Sequence, residues 1–167
     1  MSGAAEVEKV GVGESVASVL ASPQVAEPAF RSAAELEEIL DRLLTAVDSD
    51  PEAGPRLRNA HVAHRFVYPD LDIVMNVNGV DDGPRCLQWE FSDDISWKPQ
   101  LTFEMDSRVA NRYLQGEENL AIALARRRIR LSGFKARAAL EFLPTSGRLI
   151  QHYRRIVAED YPHLKLG

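Results

Sequence analysis

This sequence has little cysteine, no long apolar run and no excess of basic residues, and each of these absences argues against a class of protein. The chain of 167 residues has a single cysteine, Cys86, which excludes an internal disulfide and favours a reducing compartment. No apolar run approaches the roughly 18 to 20 residues that a membrane-spanning helix needs. Lysine and arginine together number 20 against 25 acidic residues, and the net charge of −5 argues against a nucleic-acid partner.

Targeting signals are also missing. The N-terminus lacks the basic start and apolar core of a secretory signal, and Ser2 stands where a myristoylation motif needs glycine. The final residues, Lys165-Leu166-Gly167, differ from the Ser-Lys-Leu peroxisomal address. We therefore expect a cytoplasmic protein.

Catalytic motifs are absent as well. The sequence contains no Gly-x-Ser-x-Gly, no phosphate-binding glycine loop and no His-Glu-x-x-His. His61 and His64, with nearby carboxylates, come closest to a metal set, but strand residues three apart point to opposite faces. Cys86 has no base beside it in its strand pattern, which favours an inert thiol. We expect no catalytic residue, no metal and no cofactor.

The domain is predicted to begin after a disordered tail. Residues 1–29 are small and polar without a sustained apolar period, whereas residues 30–167 read as one domain. Ser32-Ala33-Ala34-Glu35 is a capping box that starts the first helix. Asp48-Ser49-Asp50-Pro51 ends this helix, and a loop is predicted to continue through Gly54-Pro55. The apolar stripe of the helix consists of Leu36, Ile39, Leu40, Leu43, Leu44 and Val47.

Alternating apolar residues predict strands through the middle of the chain. The pattern covers residues 62–68, 71–77, 87–91 and 101–105, with glycine, proline and aspartate turns between most of them. This succession of hairpins predicts an antiparallel sheet with one wet face and one dry face.

The stretch from Leu101 to Lys135 continues with helices. Val109, Ala110, Tyr113 and Leu114 share one helix face that stops at Gly116, and a short helix over 120–125 follows Asn119. Three arginines then lead into a last strand at 129–131. Further helices are predicted over 134–143, up to Pro144, and after a cap at Thr145 or Ser146. The whole predicts an α+β domain of about five strands with helices on the dry face.

The same stretch resembles the central signature of the sterol carrier protein type two family. The resemblance is carried by a strand ending in Met105-Asp106, a helix ending at Gly116, and the run Asn-Leu-Ala-Ile-Ala-Leu-Ala-Arg-Arg-Arg-Ile-Arg-Leu-Ser-Gly at 119–133. It covers residues 33–161 and is firmest over 101–143. The family often has glycine in the turn before the last strand, where this chain has Arg126-Arg127-Arg128.

The resemblance implies a stand-alone bacterial-type member with an α+β fold. In that fold, a five-stranded, mainly antiparallel sheet has one face covered by about five helices that enclose an apolar cavity. Implied ligands are a fatty acid, an acyl-coenzyme A, a phospholipid or a sterol, bound without being transformed. An ordinary filled core is the alternative interpretation of the same apolar pattern. The predicted ligand-binding residues are Ile73, Met75, Val77, Leu87, Trp89, Phe91, Leu101, Phe103, Met105, Tyr113, Ile122, Leu140, Leu143 and Tyr153.

Partners and other functions are predicted less directly. Arg126, Arg127 and Arg128 form a basic cluster that favours transient contact with an anionic membrane surface, or else is a solvated edge. A second hypothesis is an accessory or interaction subunit of an enzyme system, with its cavity closed or unused. A third is a small enzyme acting on acyl substrates, which needs a titratable residue in the pocket such as Glu104, Glu90 or His64. The oligomeric state is not indicated by the sequence.

Overall fold

A mixed five-stranded sheet lies at the centre of the protein. A computed structural model describes residues 27–134 and 143–167. The strands are β1 (His64–Tyr68), β2 (Ile73–Asp82), β3 (Arg85–Glu90), β4 (Leu101–Met105) and β5 (Ile129–Ser132), and they lie in the order β3-β2-β1-β4-β5. All neighbours are antiparallel except β1 and β4, which run parallel at the centre of the sheet. The predicted α+β class with a mainly antiparallel sheet is confirmed.

Five α-helices lie within the described residues. They are α1 (Ala33–Asp48), α2 (Ala53–Ala60), α3 (Ser107–Leu114), α4 (Leu120–Ala125) and α5 (Leu143–Asp160). Short 3₁₀ turns follow β1 at Pro69–Leu71 and α5 at Pro162–Leu164. In this part of the chain, no helix is long and apolar enough to cross a membrane.

The first helix forms as its cap and stripe predict, with one difference in the capping box. The Ser32 hydroxyl accepts a hydrogen bond from the Glu35 amide at 3.1 Å. The Glu35 carboxylate accepts from the amide of Arg31 at 2.7 Å, one residue earlier than in a standard capping box. Every residue of the predicted apolar stripe is buried. The helix is therefore held by its packed face and by two capped amides.

The loop predicted through Gly54-Pro55 is wrong, because this segment forms α2. The Asp50 carboxylate accepts from the amides of Glu52 and Ala53 and so satisfies two donors at the helix start. Pro55 falls in the first turn, where a missing amide hydrogen costs no helical bond. The sequence signal for α2 is Asp50, which caps its start but was assigned from the sequence pattern to the end of the preceding helix.

The cap predicted at Thr145 or Ser146 is also wrong. Helix α5 already begins at Leu143, so both residues lie in its first turn. Pro144 is tolerated there for the same reason as Pro55. Most of the helix predicted over 134–143, and the predicted tail up to residue 26, lie outside the described residues.

The strand register gathers the apolar residues onto one face of the sheet. Phe66 lies opposite Met75 on β2 and Phe103 on β4, and Val77 lies opposite Trp89 on β3. Because side chains alternate along a strand, these residues share a face with Ile73, Leu87, Leu101 and Met105. This is the dry face, against which the helices pack. Phe91 follows the end of β3 and packs against the core from outside the strand.

A buried carboxylate ties the α1–α2 corner to α5. The Asp50 carboxylate is 2.8 Å from His152 Nε2 and 3.2 Å from Arg148 Nε, in addition to its two amide donors. The Ala53 amide, followed by His152, outweighs burial and lowers the pKa of Asp50 far below its ordinary value of 3.8. A carboxyl with a depressed folded-state pKa stabilises the fold above its unfolded pKa, and this stabilisation is lost as the pH falls below about 4.

Replacing this carboxylate should destabilise the protein strongly. We expect Asp50→Ala to lower the free energy of unfolding by about 3 kcal/mol, because it strands two amides and a paired arginine. Urea denaturation at pH 7 measures the loss. Glu52→Ala is the matched control, since Glu52 faces Arg148 from an exposed position at 3.8 Å and should cost about 0.5 kcal/mol or less. Equal losses in the two variants would contradict the assignment.

Candidate functional site

A cavity of about 150 Å³ lies between the dry face of the sheet and the helices. Every α-helix of the described residues contributes to its wall, as do β1, β2, β4 and β5. Edge strand β3 contributes none of the lining side chains. The helices therefore cover the dry face without filling all of the space above it.

Stacked aromatic rings form the floor of this cavity. The rings of Phe66 and Phe103 lie 5.2 Å apart at 6° to one another, across the parallel β1–β4 pair. His64 stacks on both, with centroid distances of 6.1 Å to Phe66 and 6.3 Å to Phe103. Met75 and Val77 flank these rings from β2. The floor is thus a continuous apolar surface on the three central strands.

The predicted ligand-binding residues divide into those that line the cavity and those that do not. The cavity is lined by Met75, Val77, Phe103, Met105 and Tyr113. The other described members pack elsewhere in the protein, and Leu140 and the side chain of Leu143 lie outside the described residues. Outside the lining are Ile73, Leu87, Trp89, Phe91, Leu101, Ile122 and Tyr153.

Physical reasons separate these other members from the cavity. Ile122 is 48% exposed on the outer side of α4. The indole of Trp89 is drawn to α1, where its Nε1 donates to Asp41 at 2.8 Å. Tyr153 is fully buried and donates to Asn111 at 2.8 Å, within a polar network under the C-terminus. Leu87 and Leu101 fill the core.

Several lining residues were not among the predicted set. Leu40, Leu43 and Leu44 of α1 close the cavity above the sheet, and Phe66 and Tyr68 line it from β1. Each stood in a recognised apolar pattern, the helix stripe or the β1 alternation. The pattern shows that a residue faces inward, but not whether it meets another side chain or an empty space. The remaining lining residues are Leu57, His64, Ala110, Leu114, Leu120, Ile129, Thr145, Ser146 and Leu149.

The lining contains no aspartate, glutamate, lysine, arginine or cysteine among the described residues. Its titratable members are His64 and tyrosines. Burial lowers the pKa of His64 to about 4, against the weaker opposing effect of a hydrogen bond with the Val62 backbone. Burial likewise raises the pKa of Tyr68 well above its ordinary value. Among the described lining residues, neither His64 nor Tyr68 is therefore charged at neutral pH.

Polar atoms in the lining come together where α3 meets α5. The Tyr113 hydroxyl on α3 lies 3.3 Å from the Ser146 hydroxyl in the first turn of α5. Thr145, beside it, is buried and also lines the cavity.

The residues weighed for catalysis or metal binding lie apart. His61 ends α2 at an exposed position, whereas His64 faces the cavity. Glu104 is on the opposite face of β4 and pairs with Arg130 at 2.6 Å. Glu90 is exposed at the end of β3. Within the two described ranges, no group of three histidine, cysteine or acidic side chains is placed to hold a metal ion.

The three arginines at positions 126–128 differ in their contacts. Arg128 is held at 2.6 Å by the buried Glu118 carboxylate, whereas Arg126 and Arg127 are exposed. Arg127 has a φ of 56°, which is the left-handed conformation that glycine adopts most easily. The turn before β5 therefore has the geometry expected for a glycine, with an arginine at that position.

Comparison with known proteins identifies the fold. No family model and no curated protein matches the sequence. Among solved structures, the chain is similar to the sterol carrier protein domain 2 of Helicoverpa armigera, with a TM-score of 0.51, 16% identity, and coverage of 69% of this chain and 87% of that one. It is also similar to a sterol carrier protein 2, with a TM-score of 0.50, 11% identity, and coverage of 70% and 94%.

A third similar structure is much longer. The sec-alkylsulfatase Pisa1 from Pseudomonas sp. matches with a TM-score of 0.44 and 12% identity over 64% of this chain, which spans only 14% of that enzyme's chain. The two sterol carrier structures, by contrast, are matched over most of their length. The chain therefore has the α+β fold of the sterol carrier proteins.

Proposed function

We propose that this protein binds a lipid-like hydrophobic ligand in its cavity and carries it without transforming it. The observation that supports this proposal is a partly open space on the dry face of the sheet, whose described lining residues include no aspartate, glutamate, lysine or arginine and a neutral His64. Apolar surface gains about 25 cal/mol per Å² on entering such a space. Moving an ionised group from water into this space would cost several kcal/mol of free energy, so the cavity favours apolar ligands over charged ones.

The size of the cavity limits what it holds in this conformation. An engineered core cavity of about 150 Å³ lined by apolar side chains binds benzene. The space here, of about 150 Å³, thus accommodates a short alkyl segment or a single ring. A complete sterol or long acyl chain requires the helices to move apart. Within the ligand classes that the resemblance implies, we therefore infer that the cavity receives one apolar end of the molecule first.

Binding without catalysis is supported by the state of His64. Among the described residues of the lining, it is the only imidazole, and a pKa of about 4 makes it a weak base at neutral pH. Glu104 and Glu90, the other residues considered for an acyl-directed enzyme, face away from the cavity. A cytoplasmic bacterial protein remains a prediction from the sequence.

Transient contact with an anionic membrane is part of the proposal. Helix α4 places Leu120 in the cavity wall and Ile122 in solvent, and Arg126 and Arg127 follow it at exposed positions. Each basic residue near an anionic surface contributes about 1 kcal/mol. Two arginines thus support docking that is weak enough to reverse, at the element that borders the ligand.

Filling the cavity should weaken ligand binding. We expect Met75→Trp to weaken binding of a fluorescent long-chain fatty acid by about tenfold or more, because the larger side chain occupies the floor. Fluorescence titration measures the affinity, and native mass spectrometry counts bound ligands. Val74→Trp is the control, since it adds the same ring on the opposite face of the same strand. Wild-type affinity in a folded Met75→Trp protein would refute the site.

Protonation of His64 should destabilise the fold in acid. A folded-state pKa of about 4, against 6.5, means that the unfolded chain binds this proton more readily. Stability is therefore complete above pH 6.5 and is lost as the pH falls towards 4, by about 3 kcal/mol in total. Urea denaturation across this range should show that His64→Phe removes this loss, at a cost of about 1 kcal/mol at pH 7. His61→Asn, at an exposed left-handed position, should keep the wild-type slope.

Replacing Arg127 by glycine should raise the stability of the protein and weaken its docking to membranes. We expect Arg127→Gly to raise the free energy of unfolding by about 0.5 to 1 kcal/mol. The same variant should weaken binding to phosphatidylserine vesicles about fivefold, because one basic residue is lost. Vesicle co-sedimentation and thermal unfolding measure the two effects. Arg126→Gln should show the vesicle defect without the gain in stability; unchanged vesicle binding in both variants would rule out docking through this turn.

A further inference from the structure

Helix α4 is apolar on every side, although three of its six residues are exposed to solvent. Its sequence is Leu-Ala-Ile-Ala-Leu-Ala, so none of its side chains carries a polar atom. Ala121, Ile122 and Ala125 are the exposed residues, and Ile122 is 48% exposed. A helix at the surface of a protein normally has a polar outer face. The outer face of α4 therefore has the composition of a helix that meets an apolar partner.

The charges beside this face indicate an anionic lipid surface as that partner. Arg126 and Arg127 follow α4 directly and are exposed. Each of them favours docking on an anionic surface about fivefold. Withdrawal of the half-exposed Ile122 from water adds about three- to tenfold. An apolar helix face bordered by cations matches the acyl and headgroup layers of a membrane, which it meets side by side.

The same helix is a wall of the cavity that no side-chain hydrogen bond can hold. Polar groups fix other walls: Asp50 joins the α1–α2 corner to α5, and Asn111 of α3 accepts from Tyr153 of α5. The side chains of α4 can form no bond of this kind. Leu120 lines the cavity and Ala123 is fully buried, so apolar contacts hold the helix in place. Such contacts are not directional, and contacts with lipid can replace them.

Ion pairs close the base of the segment that contains α4. Glu118 comes directly before the Asn119 cap, Arg128 comes after the helix, and their side chains meet at 2.6 Å. Arg112 of α3 lies 3.5 Å from the same buried carboxylate, which attaches the base to the rest of the fold. Residues 119–127 thus form a flap whose two ends are held together, so the flap can move as one unit.

We propose that α4 is the gate of the cavity and that an anionic lipid bilayer opens it. The outer face of α4 enters the bilayer beside Arg126 and Arg127, the flap swings on its base, and Leu120 leaves the cavity wall. The ligand then passes beneath α4, directly between the cavity and the acyl layer. This inference rests on the proposed carrier function and specifies where the ligand passes and which partner triggers its passage.

The docking face is tested with vesicles of equimolar phosphatidylserine and phosphatidylcholine. We expect Ile122→Gln to weaken co-sedimentation of the full-length protein about three- to tenfold, because the apolar contact with lipid is lost. Ile122 is exposed, so this variant should keep its fold. Leu166→Gln is the matched control, since Leu166 is an exposed aliphatic residue in the segment after α5. This control should bind vesicles as the wild type does.

Ligand transfer tests the gate itself. Protein loaded with anthroyloxy-stearate is mixed with acceptor vesicles in a stopped-flow instrument. We expect transfer to the phosphatidylserine vesicles to be at least about tenfold faster than transfer to pure phosphatidylcholine vesicles. Ile122→Gln should remove most of this difference. Its affinity for the probe in solution should stay within about twofold of wild type, because Ile122 does not line the cavity.

Movement of α4 is measured by electron–electron distance spectroscopy. Nitroxide labels are attached at Ile122→Cys and at Thr45→Cys on the exposed side of α1, with Cys86→Ala removing the native thiol. We expect the phosphatidylserine vesicles to change the distance between the labels by about 4 Å or more, since an alkyl chain needs one further carbon–carbon contact distance. Phosphatidylcholine vesicles should leave this distance unchanged.

The outcomes separate the gate from the function on which it rests. Equal transfer rates to the two vesicle types, or an unchanged label distance, would overturn the gate and leave the carrier intact. A vesicle defect in Leu166→Gln as large as that in Ile122→Gln would overturn docking through α4. Self-association that Ile122→Gln abolishes, measured by ultracentrifugation, would assign the face to a second copy of the chain instead of lipid. Failure of the wild-type protein to bind the probe would overturn both gate and carrier.

Discussion

The structure depends on the need to bury one apolar face of a mixed sheet. A strand alternates its side chains, so the inward residues of β1, β2 and β4 form one continuous surface around Phe66 and Phe103. That surface is too wide for a single helix, and residues of all five described helices lie over it. Between these helices and the sheet, some apolar side chains face an unfilled space instead of one another. The cavity is thus a consequence of how the helices pack on the sheet.

Polar anchors fix the helices around this space. Asp50 binds α5 through His152 and Arg148. A second network joins Tyr153 of α5 to Asn111 of α3, and Gln115 continues it to the Leu164 carbonyl. These polar groups contact one another and none of them lines the cavity, so they specify helix positions without adding a charge to its described lining. Hydrogen bonds and ion pairs therefore fix the positions of the helices around the cavity, while its described lining stays mainly apolar.

Much of the fold could be predicted from the sequence because its signals are local. The alternation at 101–105, the helix stripe from Leu36 to Val47 and the Asn119 cap each act within a few residues, and each forms as predicted. The strand predicted over 71–77 forms with other bounds, because Pro69–Leu71 makes a 3₁₀ turn and β2 runs from Ile73 to Asp82. The parallel β1–β4 pairing was not predictable in this way, since it joins strands that are distant in the chain. Helix α2 was missed because Asp50 was assigned to the wrong helix end.

The cavity lining was harder to predict than the fold for a related reason. Periodicity shows that Met75 and Leu87 both face inward, but only the packing of the helices decides that Met75 meets a space and Leu87 meets neighbours. The hydroxyl pair of Tyr113 and Ser146 needs two helices to converge across 33 positions of sequence. Neither residue carries a local signal for that convergence.

The strained turn before β5 links stability to the proposed docking. A left-handed conformation costs a non-glycine residue about 1 kcal/mol, and glycine would adopt it without this cost. Arg127 nevertheless occupies this position, exposed beside Arg126 at the end of a helix that also walls the cavity. Strain of this kind persists where the surrounding structure holds it, and it often accompanies function. An arginine at this turn lowers stability slightly and places a positive charge where, in the proposed docking, an anionic surface would meet the helix that borders the cavity.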